Sequence, residues 1–171
     1  MVLPLPNFLL EDQIAVVTGG GGGIGRAVAL AFAAAVAHVV VLDADRKAAS
    51  RVSDEIGASG RAVAADVRDQ ETIERIFAEV ALQHGRIDVL FNNAGINRRH
   101  SSLEMTVDDC GSRQHDRHVH LCTDSGSAHE TRWSDRQTAS TLGLSGGWYP
   151  NLAYQATKSA VVNMTRSWAT E

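Results

Sequence analysis

The sequence predicts an α/β fold, a doubly wound parallel sheet, on three observations. Short apolar runs alternate with helix-period segments through residue 95. The runs Ile14-Ala15-Val16-Val17 and His38 to Leu42 are continuous rather than alternating, as in strands covered on both faces. The polar residues Thr18, Asp43, Asp66 and Asn93 stand where such runs end, and a sheet of this kind opens its ligand crevice at the carboxyl ends of its strands.

Taken in order, residues 1 to 11 read as a leader and Ile14 to Val17 as the first strand. The stretch Thr18 to Gly25, T-G-G-G-G-G-I-G, turns into a helix reaching about Ala35, along which Ile24, Val28 and Phe32 recur every four places. His38 to Leu42 is the second strand, ending in Asp43. Asp45 is a suitable N-cap for a helix over Arg46 to Ile56, and Gly57 ends it. Arg61 to Ala65 is a third strand, followed by Asp66-Val67. Asp69 caps a strongly periodic helix with Ile73, Ile76, Phe77 and Val80 inward, and Gly85 stops it. Ile87 to Phe91 is a fourth strand, ending in Asn92-Asn93-Ala94-Gly95.

A length of 171 residues fits one domain with a real core, and 44% hydrophobic residues fit a soluble globular protein. A net charge of -4 with no basic run argues against nucleic-acid and anionic-membrane partners. The apolar start, Met1 to Leu10, holds Pro4 and Pro6 and no positive residue, unlike a signal peptide, and no apolar run is long enough to span a bilayer. Cys110 and Cys122 form no C-x-x-C pair, so a reducing cytoplasm is the default expectation.

The glycine stretch carries the chemistry of this half. Glycines let the chain turn at positive φ and approach a ligand without a Cβ in the way. The helix that follows aims unpaired N–H groups and its positive dipole end at the turn, which suits a phosphate or pyrophosphate. A glycine run alone is equally a flexible loop; the strand before it and the helix after it decide for a nucleotide. Asp43 follows by roughly the 20 residues expected of an acid that accepts from an adenosine ribose. A carboxylate there repels a 2′-phosphate, which favours NAD over NADP. The bland alternative is a loop acid or a helix cap.

These residues resemble the short-chain dehydrogenase/reductase family. T-G-x-x-x-G-I-G (Thr18 to Gly25), Asp43, Asp66-Val67 and N-N-A-G (Asn92 to Gly95) fall in that family's order, and Tyr154-Gln155-Ala156-Thr157-Lys158 matches its Y-x-x-x-K signature, with Ser140 fourteen places before the tyrosine. The match covers about residues 11 to 109 and 138 to 171. The resemblance implies a Rossmann-like sheet and hydride transfer between a nicotinamide cofactor and a secondary alcohol or ketone. It implies cofactor contacts at Gly19, Gly22, Gly23, Ile24, Gly25, Asp43, Asp66, Val67, Asn93, Ala94, Gly95, Tyr154 and Lys158. Ser140, Tyr154 and Lys158 become the catalytic residues, and Lys158 also takes the nicotinamide ribose. Tyr154 and Lys158, four apart, share a helix face. A tyrosine with its ordinary pKa near 10 is a poor base at neutral pH, and a neighbouring ammonium favours the phenolate. The ordinary alternative for such a pair is a helix surface. Tyr149 is a decoy, with Ala153 four places after it.

The chain departs from the family in three places. Residues 110 to 137 hold His115, His118, His120 and His129, both cysteines and no apolar periodicity. The family's long helix with its asparagine segment, and the core strand leading to the serine, have no legible counterpart there. Three readings stand. The first is translation out of frame: Arg113 to Arg117 written as CGT-CAA-CAT-GAC-CGG gives Val-Asn-Met-Thr-Gly one base later, and Ser134 to Gln137 as TCG-GAT-CGT-CAA gives Arg-Ile-Val and the start of an Asn codon. The second is a zinc site on His115, His118, His120 and Cys122, whose spacing matches no zinc pattern. The third is a disordered insert. Val36 stands where the family has Gly after the first helix, a strain on the order of 1–2 kcal/mol if φ is positive. Finally, the sequence stops at Glu171, inside the Tyr154–Lys158 helix, so the sheet is expected to be truncated at the C-terminus. The family's substrate-covering loop and usual oligomer interface would lie beyond it. The expected partner is a small alcohol or ketone, and a homo-oligomer is expected of a full-length member. A non-catalytic nucleotide-binding remnant is the competing expectation for this chain.

Overall fold

A computed structural model of the chain describes residues 8–95, 134–145 and 152–170. Five parallel strands form one sheet in the order β3-β2-β1-β4-β5. They are β1 (Ile14–Thr18), β2 (His38–Asp43), β3 (Gly60–Ala64), β4 (Val89–Asn92) and β5 (Ser134–Gln137). Helices α1 (Gly23–Ala34), α2 (Arg46–Ile56) and α3 (Gln70–His84) connect the first four strands. A 3-10 turn over Thr141–Gly143 and helix α4 (Leu152–Trp168) follow β5. The strand order reverses between β1 and β4, and the crevice of a doubly wound sheet opens at that switch point.

The continuous apolar runs fold as strands because both faces of the sheet are covered. Val16, Val40, Leu42 and Leu90 pack with Ile73, Ile76, Phe77 and Val80 of α3 on one face. Val17, Val39, Val41 and Val89 pack with Ala29 of α1 and Ala49 and Val52 of α2 on the other. Burying an aliphatic side chain contributes about 1.5–3 kcal/mol, so these two clusters carry the fold. The caps form as expected. Asp45 accepts from the Lys47 and Ala48 N–H groups, Asp69 accepts from the Thr72 N–H, and Gly85 takes the left-handed conformation after α3.

The buried positions of α1 are Gly25 and Ala29, with Phe32 half-buried, while Ile24 is 62% exposed. Small residues bring α1 close to the sheet, and Ile24 lines the crevice. Two expectations are corrected. The fourth strand runs Val89–Asn92, two residues later than its apolar start. And residues 110 to 137 do contain a strand leading to the serine: Ser134–Gln137 pairs with β4 from Val89↔Ser134 to Asn92↔Gln137. Its four polar residues give no apolar signal. The backbone ladder holds it, with Asp135 accepting from Asn92 Nδ2 at 3.1 Å and from Gln137 Nε2 at 2.7 Å. His115, His118, His120, His129, Cys110 and Cys122 lie outside the described residues, and with them the zinc reading and the asparagine segment.

Val36 has φ 71. Its N–H donates to Ala33 O at 2.9 Å and the Ala37 N–H donates to Phe32 O at 3.0 Å. Those two bonds make a Schellman end to α1 with a β-branched residue in the position that favours glycine.

Candidate cofactor and active site

The carboxyl ends of β1 and β4 are tied together. Thr18, fully buried, accepts from the backbone N–H groups of Asn93 and Ala94, each at 3.0 Å. Asn93 Nδ2 donates back to Thr18 O and Gly19 O, each at 3.2 Å. The N-N-A-G segment thus braces the first turn of the glycine stretch. Gly19 has φ 62, and a Cβ there would stand 2.9 Å from Ala94 Cα. Gly25 packs closer still, since a Cβ there would lie 2.1 Å from Gly19 O. Gly22 is the N-cap of α1 and supplies no side chain, so the N–H groups of the first helical turn and their positive dipole end face the crevice.

The crevice is a cleft of about 590 Å³. Of the predicted cofactor residues, Gly19, Gly22, Ile24, Asp43, Asp66, Val67, Asn93, Ala94 and Gly95 line it. Gly23, Gly25, Tyr154 and Lys158 are not in its wall; the two glycines shape it through the turn. Asp43 is fixed by two backbone donors: Gly21 N reaches Oδ2 at 2.9 Å and Asp45 N reaches Oδ1 at 2.9 Å. Each oxygen keeps a further lone pair for a hydroxyl donor.

Sequence reasoning missed Leu42, Ala44, Ala65 and Arg68 in the same wall. Arg68 folds back on Asp66, donating from its backbone N to Oδ1 at 2.9 Å, from Nε to Oδ2 at 2.8 Å, and from Nη2 to Oδ2. The Asp66 carboxylate raises the Arg68 pKa through that hydrogen bond and its charge. The available signal was the i, i+2 spacing after a strand-end acid.

The Tyr154–Lys158 helix docks at the same end of the sheet. Lys158 is 8% exposed, and its Nζ donates to the backbone carbonyl of Thr138, the residue after β5. Burial pushes its pKa down from the ordinary lysine value. The ammonium lies 5.7 Å from the Tyr154 ring centre. Thr138 N donates to Asn92 O at 2.9 Å, which ties this corner to β4. Ser140, two residues on, caps the 3-10 turn by accepting from Leu142 N at 3.2 Å. That turn is pressed onto α4, because Ser159 Oγ donates to Gly143 O at 2.8 Å and a Cβ on Gly143 would lie 2.6 Å from Lys158 O. Ser140 and Lys158 are therefore held on two sides of one tight contact. The decoy Tyr149 and Trp148 lie outside the described residues.

The family model for short chain dehydrogenases matches residues 13–115. The chain belongs to the short-chain dehydrogenase family. It is 39% identical over 166 residues to the meso-2,3-butanediol dehydrogenase of Serratia marcescens, covering 93% of this chain and 65% of that protein. It is 38% identical over 99 residues to the 3-oxoacyl-[acyl-carrier-protein] reductase of Escherichia coli K12, covering 58% of this chain and 40% of that one. Among solved structures, a Sinorhizobium meliloti protein classed with the short-chain alcohol dehydrogenases superposes with TM-score 0.88 at 28% identity, covering 96% of this chain and 68% of that one. The chain thus spans about two thirds or less of the length of these curated relatives. Among the described residues, no helix is long and apolar enough to cross a membrane.

Proposed function

We propose that this chain carries the nucleotide-binding half and the tyrosine–lysine helix of an oxidoreductase, one that moves a hydride between NAD(H) and a secondary alcohol or ketone. The observation that supports it most is the Lys158–Thr138 bond, which anchors the helix of Tyr154 to the carboxyl end of β5. The cleft fits the cofactor's adenosine diphosphate end. It combines a glycine cradle that a Cβ would fill, the open N-terminus of α1 and the backbone-fixed Asp43. When bound, a nicotinamide ring supplies the hydride acceptor or donor.

The chain's own residues do the rest. Asp43 accepts from the adenosine ribose hydroxyls, and its charge opposes a 2′-phosphate. Ser140 Oγ holds the substrate oxygen by hydrogen bond. Tyr154 takes the proton of the substrate hydroxyl as the carbon gives up its hydride, and returns that proton in reduction. Lys158, positively charged and anchored to the Thr138 carbonyl, orients the tyrosine and reaches a ribose hydroxyl. General acid–base catalysis of this kind contributes about 10²–10⁴-fold.

The test is NAD⁺-dependent oxidation of a panel of secondary alcohols by the chain and by Tyr154→Phe, with NADH affinity measured on both. The expected result is turnover that falls at least about 100-fold in the variant while NADH binding persists. Binding by the unaltered chain with no turnover would instead identify a non-catalytic remnant.

A further inference from the structure

Among the described residues, three charged side chains line the cleft, Asp43, Asp66 and Arg68. Asp43 already has a role on the ribose side. The other two form a pair on the wall that follows β3, and that pair has a peculiar geometry. Asp66 takes the Arg68 backbone N–H on one oxygen and both Nε and Nη2 on the other. The guanidinium is therefore gripped along one edge, and its two flat faces stay out of the bonding. Its side chain remains 57% exposed at the cleft wall. An exposed pair so close in sequence adds little to folding. What it does is present a planar, delocalised cation in a fixed orientation inside a binding cleft. Such a plane stacks on an aromatic ring better than any other cationic side chain does.

We propose that Arg68 forms one face of the adenine subsite, stacking its guanidinium on the base while Asp66 holds it edge-on. The inference rests on the dinucleotide reading above and deepens it. It assigns Arg68 to base binding and Asp66 to positioning it, in addition to any contact Asp66 makes to the base itself.

The experiment is a calorimetric titration of the full chain, Arg68→Ala and Arg68→Lys with three probes: NADH, AMP and reduced nicotinamide mononucleotide. Arg68→Ala is expected to weaken AMP and NADH by the same factor, about 5- to 30-fold, and to leave the mononucleotide unchanged. Arg68→Lys is expected to stay within about threefold of the alanine variant, because an ammonium has no plane to stack. Unchanged AMP affinity in Arg68→Ala overturns the proposal, and so does full rescue by lysine, which would make the effect one of charge alone. Equal weakening of the mononucleotide also overturns it, as general damage to the cleft. If the unaltered chain binds neither AMP nor NADH, the dinucleotide reading falls and this inference with it. If the chain binds both and only the variants fail to differ, this inference alone falls.

Discussion

Replacing Gly25 by alanine tests the construction of the glycine turn. The added Cβ would lie 2.1 Å from Gly19 O and 2.7 Å from Asn93 Nδ2. Carbon contacts relax at about 3.5–4.0 Å, so α1 must back away from β1 or the turn must open. Overpacking of this kind costs about 1–3 kcal/mol. Displacing Gly19 also breaks its carbonyl's bond to Asn93 Nδ2, about 1 kcal/mol more. Alanine's better helix propensity returns at most about 1 kcal/mol. The net expectation is a loss of about 1–3 kcal/mol, a large part of the roughly 5–15 kcal/mol that a domain has. Gly22→Ala is the control. A Cβ there meets nothing within 4 Å, and φ -166 is extended backbone open to any residue. Its stability should stay within about 0.5 kcal/mol of the unaltered chain. Its cost should appear in NADH affinity, since Gly22 lines the cleft. Urea unfolding followed by circular dichroism measures both variants. A Gly25→Ala protein as stable as the parent, or a Gly22→Ala protein equally damaged, would refute the packing argument.

Three other expectations can be checked on the same protein. Val36→Gly relieves about 1–2 kcal/mol of left-handed strain and loses about 0.4–1 to the freer unfolded chain, so urea unfolding should show a gain of about 0.5–1 kcal/mol. A loss of that size would show that Val36 is not strained. Burial, with His38 and Arg61 nearby, lowers the His84 pKa below its ordinary 6.5, so the unfolded chain takes up a proton first. Stability should be fully present above about pH 6.5 and fall as the pH drops through it. His84→Gln should flatten that slope between pH 7.5 and 5.5, and an unchanged slope would assign it to other groups. Gly143→Ala forces the 3-10 turn off the Lys158 carbonyl. It should cut turnover at least about tenfold with NADH affinity within about threefold, the loss expected when a catalytic group moves by about 1 Å. Equal loss of both would place the damage in the cleft.

The parts of this chain that obey local chemistry were legible. The strands β1 and β2 follow from apolar runs covered on both faces. The ends of α2 and α3 follow from Asp45, Gly57, Asp69 and Gly85, each satisfying or releasing backbone groups within its own turn. Most of the cleft wall was legible for the same reason, since a strand end followed by a helix is a local event. The strand β5 was not, because Ser-Asp-Arg-Gln earns its place from β4 and from the Asn92–Asp135–Gln137 bonds rather than from its own composition. A four-residue spacing does not say which stripe of α1 meets the sheet; Gly25 and Ala29 do, since small residues fit there, and Ile24 stands in the cleft wall. The anchor of Lys158 is a backbone carbonyl twenty residues away, which no side-chain pattern announces.

The central claim is that this cleft is shaped for NAD(H). The most direct measurement is a paired calorimetric titration of the chain with NADH and NADPH under identical ionic strength. Asp43 is held by Gly21 N and Asp45 N in the cleft wall, so under the proposed binding mode a 2′-phosphate would meet a carboxylate. The expected result is tight NADH binding and NADPH binding weaker by at least about tenfold, the size of a 1.4 kcal/mol repulsion. Equal affinities would contradict the role given to Asp43, and binding of neither would contradict the account of the cleft itself.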